Sequence, residues 1–295
     1  MTTLEFLAED GVTLRAVVTG ATDGPRLILG HGNGLAIGGY EVFWSLLADD
    51  FQLVLLDVRS HGNSDVSSLD AHNWTQFVRD YEMCLQGIED QLGARPSVGV
   101  FHSLSAVIAL GHLKQYQRRL EGLLLFDPPL MPPAGSPFRK PHVEEMLRLA
   151  GRVRQRQSCF AAPEDLAGVF RRGRTLSKWS DKACQDMAKA VLRASGDRTS
   201  WCLACPPLHE AKIFDSNVDE SMWGLFACLD IPLKLVCADP DVPGVQPSAH
   251  STRELAQTFN VPYEAIPGST HFLQLEYPAQ CAKITRSYCK GLLAC

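Results

Sequence analysis

Short apolar runs alternate with segments of helical periodicity along most of the chain. Runs at 26–30, 52–57, 98–101 and 123–127 are bounded by polar or glycine-containing turns, which predicts buried strands. Between the second and third runs, residues 74–92 place their apolar side chains on one helical face. Strands that alternate with helices in this way predict an α/β fold, with a mainly parallel sheet and helical crossovers.

Both ends of the chain continue the strand pattern. Apolar runs at 4–7 and 13–18 flank the turn dipeptide Asp10-Gly11, which predicts a β-hairpin. Near the other end, residues 262–266 read as the last strand and 278–293 as a closing helix.

The strand rhythm stops in the middle of the chain. A proline-rich stretch begins at Pro128, and residues 140–214 hold helical segments without a convincing strand before a strand resumes at 232–238. We therefore predict a helical cap inserted into a sheet domain. The predicted divisions are a core at 1–130 and 225–295 and a cap at 131–224.

Composition and charge exclude several classes of protein. The 295 residues are 45% hydrophobic and 21% charged, and the net charge of −5 comes with no basic block, which disfavours nucleic-acid binding. No signal peptide and no apolar stretch of membrane-spanning length is evident, so we expect a cytoplasmic location. A homo-oligomer is compatible with these features.

The ten cysteines are scattered between Cys84 and Cys295 without a repeated spacing. This arrangement favours reduced thiols over a disulfide framework. Cys202 and Cys205 have the spacing of half a zinc site but lack a second pair, so we expect no metal.

A strand–turn–helix corner surrounds Ser103. The apolar run 98–101 leads into His102-Ser103-Leu104, and small and apolar residues then begin a helix. A serine at such a tip has an accessible hydroxyl, and the amide after it lies at a helix N-terminus. The flanks Phe101 and Ser105 depart from the usual Gly-x-Ser-x-Gly pattern. A nucleophile at Ser105, or an ordinary turn serine, therefore stays open.

The other groups of a nucleophilic site come later in the chain. His271 follows the last predicted strand, and the candidate acids at strand ends are Asp127, Asp239 and Asp241. A histidine can take the serine proton near neutral pH, and a carboxylate fixes the imidazole tautomer. The order serine, acid, histidine would require the acid to lie between Ser103 and His271, and all three candidates do.

The predicted cap is locally basic. We interpret its arginines as solvated helix faces and prefer that interpretation to an anionic-substrate patch. The arginines concerned are Arg148, Arg152, Arg154, Arg156, Arg171, Arg172 and Arg174.

Four motifs in order resemble the α/β-hydrolase superfamily over nearly the whole chain, and the likeness is to its serine esterases and lipases with a helical cap. The motifs are His31-Gly32-Asn33-Gly34, the loop 57–64 with Ser60 in place of a glycine, the corner 101–105 and Gly268-Ser269-Thr270-His271-Phe272. The resemblance implies a mainly parallel twisted sheet with helices on both faces.

The resemblance also implies roles for individual residues. Ser103 would be the nucleophile, His271 the general base, and the amides of Asn33 and Leu104 the oxyanion hole. In the family the acid usually lies nine residues beyond a strand-opening proline, and counting from Pro232 selects Asp241. Asp239 and Asp127 remain the alternatives. The resemblance implies scaffold roles for His31, Asp57, Arg59 and His61, and a packed, non-catalytic role for His102.

The implied reaction is hydrolysis of a small apolar carboxylic ester through an acyl-enzyme, with no cofactor. A serine nucleophile argues against the members of the superfamily that use an aspartate, which are the epoxide hydrolases and dehalogenases. The alternatives are a carbon–carbon bond hydrolase or lactonase with the same triad, and a binding protein that has kept the pocket without catalysis.

Overall fold

The computed structural model describes residues 1–197 and 199–293, and a mixed sheet forms its centre. The described strands are β1 (Thr2–Leu7), β2 (Thr13–Gly20), β3 (Arg26–Gly30), β4 (Gln52–Asp57), β5 (Ser97–His102), β6 (Gly122–Phe126), β7 (Cys159–Phe160), β8 (Leu192–Ala194), β9 (Trp201–Leu203), β10 (Leu233–Cys237) and β11 (Tyr263–Ala265).

Helices connect these strands and cover the sheet. The described α-helices are α1 (Glu41–Trp44), α2 (Trp74–Leu92), α3 (Leu104–Gln115), α4 (Arg139–Arg154), α5 (Pro163–Arg172), α6 (Asp181–Val191), α7 (Pro207–Ser216), α8 (Ser221–Leu225), α9 (Pro247–Phe259), α10 (Leu273–Glu276) and α11 (Pro278–Leu293).

The sheet has the order β1-β2-β4-β3-β5-β6-β10-β11. Strands β1 and β2 pair antiparallel as the predicted hairpin, and β2 pairs antiparallel with β4. From β4 to β11 every neighbouring pair is parallel, so the carboxyl ends of six strands share one edge. The predicted α/β fold with a mainly parallel sheet is confirmed.

Helices on both faces explain why the central strands are apolar without alternation. All residues of β3, β5 and β6 are buried. Along β3, Ile28 packs with the side chains of α2, α3 and α9 on one face, while Leu27 and Leu29 pack with α1, α10 and α11 on the other. A strand that is buried on both faces favours apolar side chains on both, and the polar residues of β3 and β5 (Arg26, Ser97 and His102) lie at the strand ends.

The insertion between β6 and β10 holds helices α4 to α8. Helices α4, α5 and α6 lie close to the helical segments that the sequence pattern predicts at 143–157, 163–171 and 181–193. The segment also contains a three-stranded antiparallel sheet of order β7-β9-β8, which corrects the expectation of helices without strands. These strands have only two or three residues each, too few to show an alternating pattern in the sequence. We keep 131–224 as the proposed cap.

One disulfide joins two strands of this small sheet. Cys159 and Cys202 lie opposite each other on β7 and β9 and are bonded, which corrects the expectation of reduced thiols for this pair. Cys205 is a buried free thiol, so the Cys202–Cys205 spacing does not form a pair of metal ligands. Because structural disulfides are rare in the cytosol, the bond weighs against a cytoplasmic location, which stays a prediction.

None of the helices in the described ranges combines the length and the apolar character that crossing a membrane requires.

Candidate active site

Ser103 lies at the tip of the turn between β5 and α3. Its φ of 52° and ψ of −110° lie outside the backbone conformations that non-glycine residues normally adopt. The surrounding structure must therefore hold this backbone in place. One such restraint is the hydrogen bond from the Ser103 amide to the Phe126 carbonyl on the neighbouring strand, at 3.0 Å. The strained turn places the Ser103 side chain on the wall of a cavity.

The bulky flank Phe101 fits because its neighbours are glycines. Gly30 pairs with Phe101 across β3 and β5, and Gly99 lies two residues earlier on the same face of β5. A Cβ on Gly99 would lie 2.2 Å from the Phe101 ring, and one on Gly30 would lie 3.1 Å from it. Phe101 is buried and packs edge-on against Tyr81 at 5.5 Å. The corner therefore accepts a large residue two positions before the serine, because Gly30 and Gly99 leave the space that the Phe101 ring fills.

The second flank, Ser105, closes the turn, and its hydroxyl is not hydrogen-bonded to His271. Its hydroxyl donates to the His102 carbonyl at 2.9 Å and accepts from the His102 amide at 3.1 Å. The geometry thus gives Ser105 a structural role and leaves Ser103 as the serine of the site.

Three side chains form a continuous hydrogen-bonded chain. The Ser103 hydroxyl lies 2.9 Å from His271 Nε2, and His271 Nδ1 lies 2.5 Å from Asp127 Oδ2. Asp127 is fully buried, and its other carboxylate oxygen accepts the Ala238 amide at 3.0 Å. A carboxylate held in this way fixes the Nδ1–H tautomer, which leaves Nε2 free to accept the serine proton.

The structure does not bring Asp241 to His271, so the preference for Asp241 as the acid is corrected in favour of Asp127. The Asp241 side chain is 84% exposed, and its one ion pair within the described ranges is with Arg253, at 3.8 Å. Asp127 directly follows β6 with a φ of 43°, a left-handed conformation that aspartate tolerates better than most residues. Counting from Pro232 selects a residue after β10, whereas the aspartate that contacts His271 follows β6.

Asp239 holds the histidine loop by its backbone. Its carboxylate accepts the Gly268 amide at 2.8 Å and the Asp241 amide at 2.9 Å. These two backbone hydrogen bonds lower the pKa of Asp239 below its ordinary value. Gly268 has a φ of +75°, and the loop that it begins leads to His271.

Two backbone amides next to Ser103 are available to a ligand. Within the described part of the chain, neither the Asn33 amide nor the Leu104 amide donates a hydrogen bond. The Leu104 amide is the first of helix α3, where the helix dipole favours negative charge. Both residues line the same cavity as Ser103, as an oxyanion hole requires.

The loop that carries Asn33 is held by the cap. Asn33 Nδ2 donates to the Glu210 carbonyl of α7 at 2.9 Å. Gly34 has a φ of +70°, and a Cβ there would lie 2.3 Å from the carboxyl carbon of Glu210. Because only a glycine fits against this carboxylate, the loop and α7 are packed as one unit.

Buried histidines brace the same loop from the other side. The Gly34 amide donates to His61 Nε2 and the Val58 amide to His31 Nε2, each at 3.0 Å. Burial lowers the pKa of both imidazoles, which keeps them neutral and able to accept. Asp57 accepts the amide of Ile37 at 3.0 Å, and burial raises its pKa. These contacts are those of a scaffold.

A further chain of hydrogen bonds links the Gly32 loop to the His271 loop, and nothing in the sequence indicates the role of its tyrosine, Tyr40. The Gly32 amide donates to the Tyr40 hydroxyl at 3.2 Å, and that hydroxyl lies 2.7 Å from His102 Nδ1. His102 Nε2 lies 2.8 Å from the carbonyl of His271. Burial, reinforced by His271, lowers the pKa of His102, so it is neutral and donates through Nε2. Tyr40 occupies an ordinary apolar helix position, which hides this role.

The cavity has a volume of about 410 Å³ and lies between the sheet edge and the proposed cap. Ser103 and His271 form part of its wall together with the Asn33 loop. Most of the other lining side chains are apolar. They include Leu35, Trp74, Met146, Leu149, Val153, Phe170, Leu176, Trp179, Ile213, Phe214 and Phe272. Among residues 1–197 and 199–293, no three His, Cys, Asp or Glu side chains cluster as metal ligands would.

Comparison with known proteins identifies the family and supports the fold. No curated protein sequence gives a significant match. Similar solved structures include E-2-(acetamidomethylene)succinate hydrolase, at 18% identity and a TM-score of 0.74, with 100% of both chains covered. An esterase from Thermogutta terrifontis with malate bound is 20% identical, with a TM-score of 0.68 and 99% of each chain covered.

A third similar structure is an N-formylmaleamic acid deformylase from Pseudomonas putida S16, at 18% identity and a TM-score of 0.69. The alignment covers 97% of this chain and 100% of that one. At these identities the three structures support the fold. The model of the alpha/beta hydrolase family matches residues 27–284, which is most of the chain. The chain therefore belongs to the alpha/beta hydrolase family.

Proposed function

We propose that the protein is a serine hydrolase that cleaves a carboxylic ester through an acyl-enzyme. The observation that carries this proposal is the hydrogen-bonded chain from Ser103 through His271 to Asp127. The serine at one end of this chain lies on the wall of a cavity of substrate size.

Acylation begins when His271 Nε2 takes the Ser103 proton and the serine oxygen attacks the ester carbonyl. The carbonyl oxygen becomes an oxyanion, which the amides of Asn33 and Leu104 stabilise. In other hydrolases, removal of one such donor costs about 3 to 4 kcal/mol. The protonated imidazole, stabilised by Asp127, then gives its proton to the departing alcohol oxygen as the C–O bond breaks.

Deacylation repeats these steps with water. His271 takes a proton from a water molecule, which attacks the acyl-enzyme carbonyl, and the Ser103 oxygen leaves with the proton returned by the imidazolium. This half of the cycle releases the free acid and regenerates the enzyme, so one turnover converts one ester and one water into an acid and an alcohol.

Two observations support catalysis over binding without turnover. The strained backbone at Ser103 would be costly to keep in a binding protein. The amides of Asn33 and Leu104 at the cavity wall, which have no acceptor among the described residues, are suited to stabilise an oxyanion. The esterase among the similar structures points the same way. Carbon–carbon bond cleavage and lactone opening would use the same triad, and a substrate panel separates them.

The proposal is tested by covalent labelling. A fluorophosphonate probe should label the wild-type protein at Ser103, and Ser103→Ala should abolish both labelling and hydrolysis of p-nitrophenyl acetate. The loss in comparable enzymes is about a millionfold. Ser105→Ala serves as the control: it removes the hydrogen bonds to His102 but should keep labelling and substantial turnover. Turnover that survives in Ser103→Ala, or a label found on another residue, would refute the proposed nucleophile.

A further inference from the structure

One wall of the cavity carries three arginines at a spacing of four residues. Arg148 and Arg152 lie on α4, and Arg156 follows two residues beyond the end of that helix. All three line the cavity that contains Ser103. Arg154, between them in the sequence, does not line it and pairs with Asp215 on α7. From the sequence we interpret the arginines of this segment as solvated. In the structure, Arg148, Arg152 and Arg156 line the cavity.

Two of the three arginines have a carboxylate partner. Arg148 Nε lies 2.7 Å from Glu145 Oε2, and Arg156 Nη2 lies 2.6 Å from Glu210 Oε2. The guanidinium of Arg152, between them, makes no hydrogen bond or ion pair with any residue in the described ranges. This wall therefore holds three guanidinium groups and two carboxylates, and one positive charge is not compensated.

The wall also has polar atoms without hydrogen-bond partners. The guanidinium of Arg156 and the carboxylate of Glu210 are close but not aligned for a hydrogen bond, and Arg156 Nε has no partner in the described chain. Asn33 Oδ1 is likewise buried without a donor, at the point where the oxyanion loop meets α7. Buried polar atoms are usually paired, and the unpaired N–H groups of Arg156 are the donors on this wall that an acceptor supplied by a ligand would satisfy.

The chemistry of an arginine wall selects the ligand. A planar guanidinium matches a carboxylate in both charge and geometry and can bind it through two hydrogen bonds. A purely apolar ester would offer no partner to Arg152, whereas a carboxylate would. The remaining lining is apolar and suits a hydrocarbon portion of the same molecule.

We propose that the substrate carries a free carboxylate in addition to its scissile acyl bond, and that Arg152, with Arg156 beside it, binds that carboxylate. This proposal rests on the proposed function and replaces the small apolar ester expected from the sequence with an anionic one.

The test compares esters that differ in one charge. In the first pair, p-nitrophenyl hexanoate is compared with the mono-p-nitrophenyl ester of adipic acid, whose acyl chain has the same number of carbons. In the second pair, phenyl hexanoate is compared with the hexanoate ester of 4-hydroxybenzoate, which places the carboxylate on the leaving group. The measured quantity is the ratio of kcat/KM for the charged ester to that for the neutral ester.

We expect the wild-type protein to favour the charged ester in at least one pair. Arg152→Gln should lower that ratio by roughly 10- to 100-fold, the usual range for a lost hydrogen bond to a charged group. Arg152→Lys should recover part of the ratio, because it restores the charge without the planar fork. Raised ionic strength should increase KM for the charged ester.

Arg154→Gln is the matched control, since it removes an arginine from the same helix but outside the cavity, and it should leave the ratio unchanged. Arg152 is exposed and unpaired in the described residues, so its replacement should leave the melting temperature nearly unchanged. A ratio that is the same in wild type and Arg152→Gln for both pairs would overturn the carboxylate site. Absence of turnover of all four esters, or turnover that survives Ser103→Ala, would instead refute the proposed function.

Discussion

The ends of β6 and β10 lie side by side, and each is followed by an aspartate that faces the histidine loop. Asp127 comes directly after β6, is fully buried, and contacts the His271 imidazole at 2.5 Å. Asp239 comes two residues after β10, is partly exposed, and contacts the backbone amide of Gly268. One carboxylate contacts the imidazole that we propose as the general base, and the other contacts the backbone that carries it.

This difference shows that position along the chain does not by itself identify a catalytic acid. Because β6 and β10 are adjacent parallel strands, with Phe126 beside Val236, their carboxyl ends reach the same place. What separates the two aspartates is backbone geometry. The left-handed conformation at Asp127 lets a residue at the very end of a strand reach the imidazole, whereas the turn at Asp239 directs its carboxylate to amides.

Among the aspartates at these strand ends, the largest expected effect is that of Asp127→Asn. The amide keeps the size of the side chain but favours the wrong imidazole tautomer, so kcat for a p-nitrophenyl ester should fall by about ten-thousandfold, as in a comparable triad. Circular dichroism should show an unchanged fold. A kcat near that of wild type would return the role of the acid to the end of β10.

Asp239→Asn should have an intermediate effect. The amide can still accept one of the two backbone hydrogen bonds but loses the charge that strengthens both, so the loop that holds His271 becomes less well positioned. We expect kcat to fall by about tenfold, with the fluorophosphonate label still placed on Ser103. A loss as large as that of Asp127→Asn would show that Asp239 takes part in the chemistry itself.

The same residue predicts a pH dependence of stability. The pKa of Asp239 is lower in the folded state than its ordinary value of 3.8. A lowered folded pKa contributes stability above the unfolded value, and that contribution is lost as the pH falls through the folded value. The melting temperature of wild type should therefore exceed that of Asp239→Asn at neutral pH, and the gap should close as the pH falls below 3.8. A gap that is independent of pH would show that the carboxylate charge is not involved.

Asp241→Asn should have the smallest effect. Its side chain is 84% exposed and lies 3.8 Å from Arg253, and an exposed ion pair of this kind contributes less than about 1 kcal/mol. Both kcat and the melting temperature should match those of wild type. An appreciable loss of kcat in Asp241→Asn would mean that the loop after β10 rearranges to bring this residue to His271.

Much of the fold could be predicted because it depends on local patterns. The apolar runs of β3 to β6 and the periodicity of α2 follow from burial on both faces of a sheet and on one face of a helix. Ser103 and His271 could be selected because each comes just after a strand, and strand ends of a parallel sheet converge. The short strands β7 to β9 escaped prediction because two or three residues carry no period.

The sequence by itself determined which kinds of residue meet at the sheet edge: a serine on a sharp turn, a histidine after the last strand, and an aspartate between them. Only the tertiary structure decided which aspartate it is, because neighbouring strands bring Asp127 and Asp239 to the same loop. It also decided that Phe101 fits beside Gly30 and Gly99, and that Arg152 lines the cavity while Arg154 does not. Each of these outcomes depends on contacts between residues far apart in the chain or on which face of a helix is covered, and neither is encoded in local spacing.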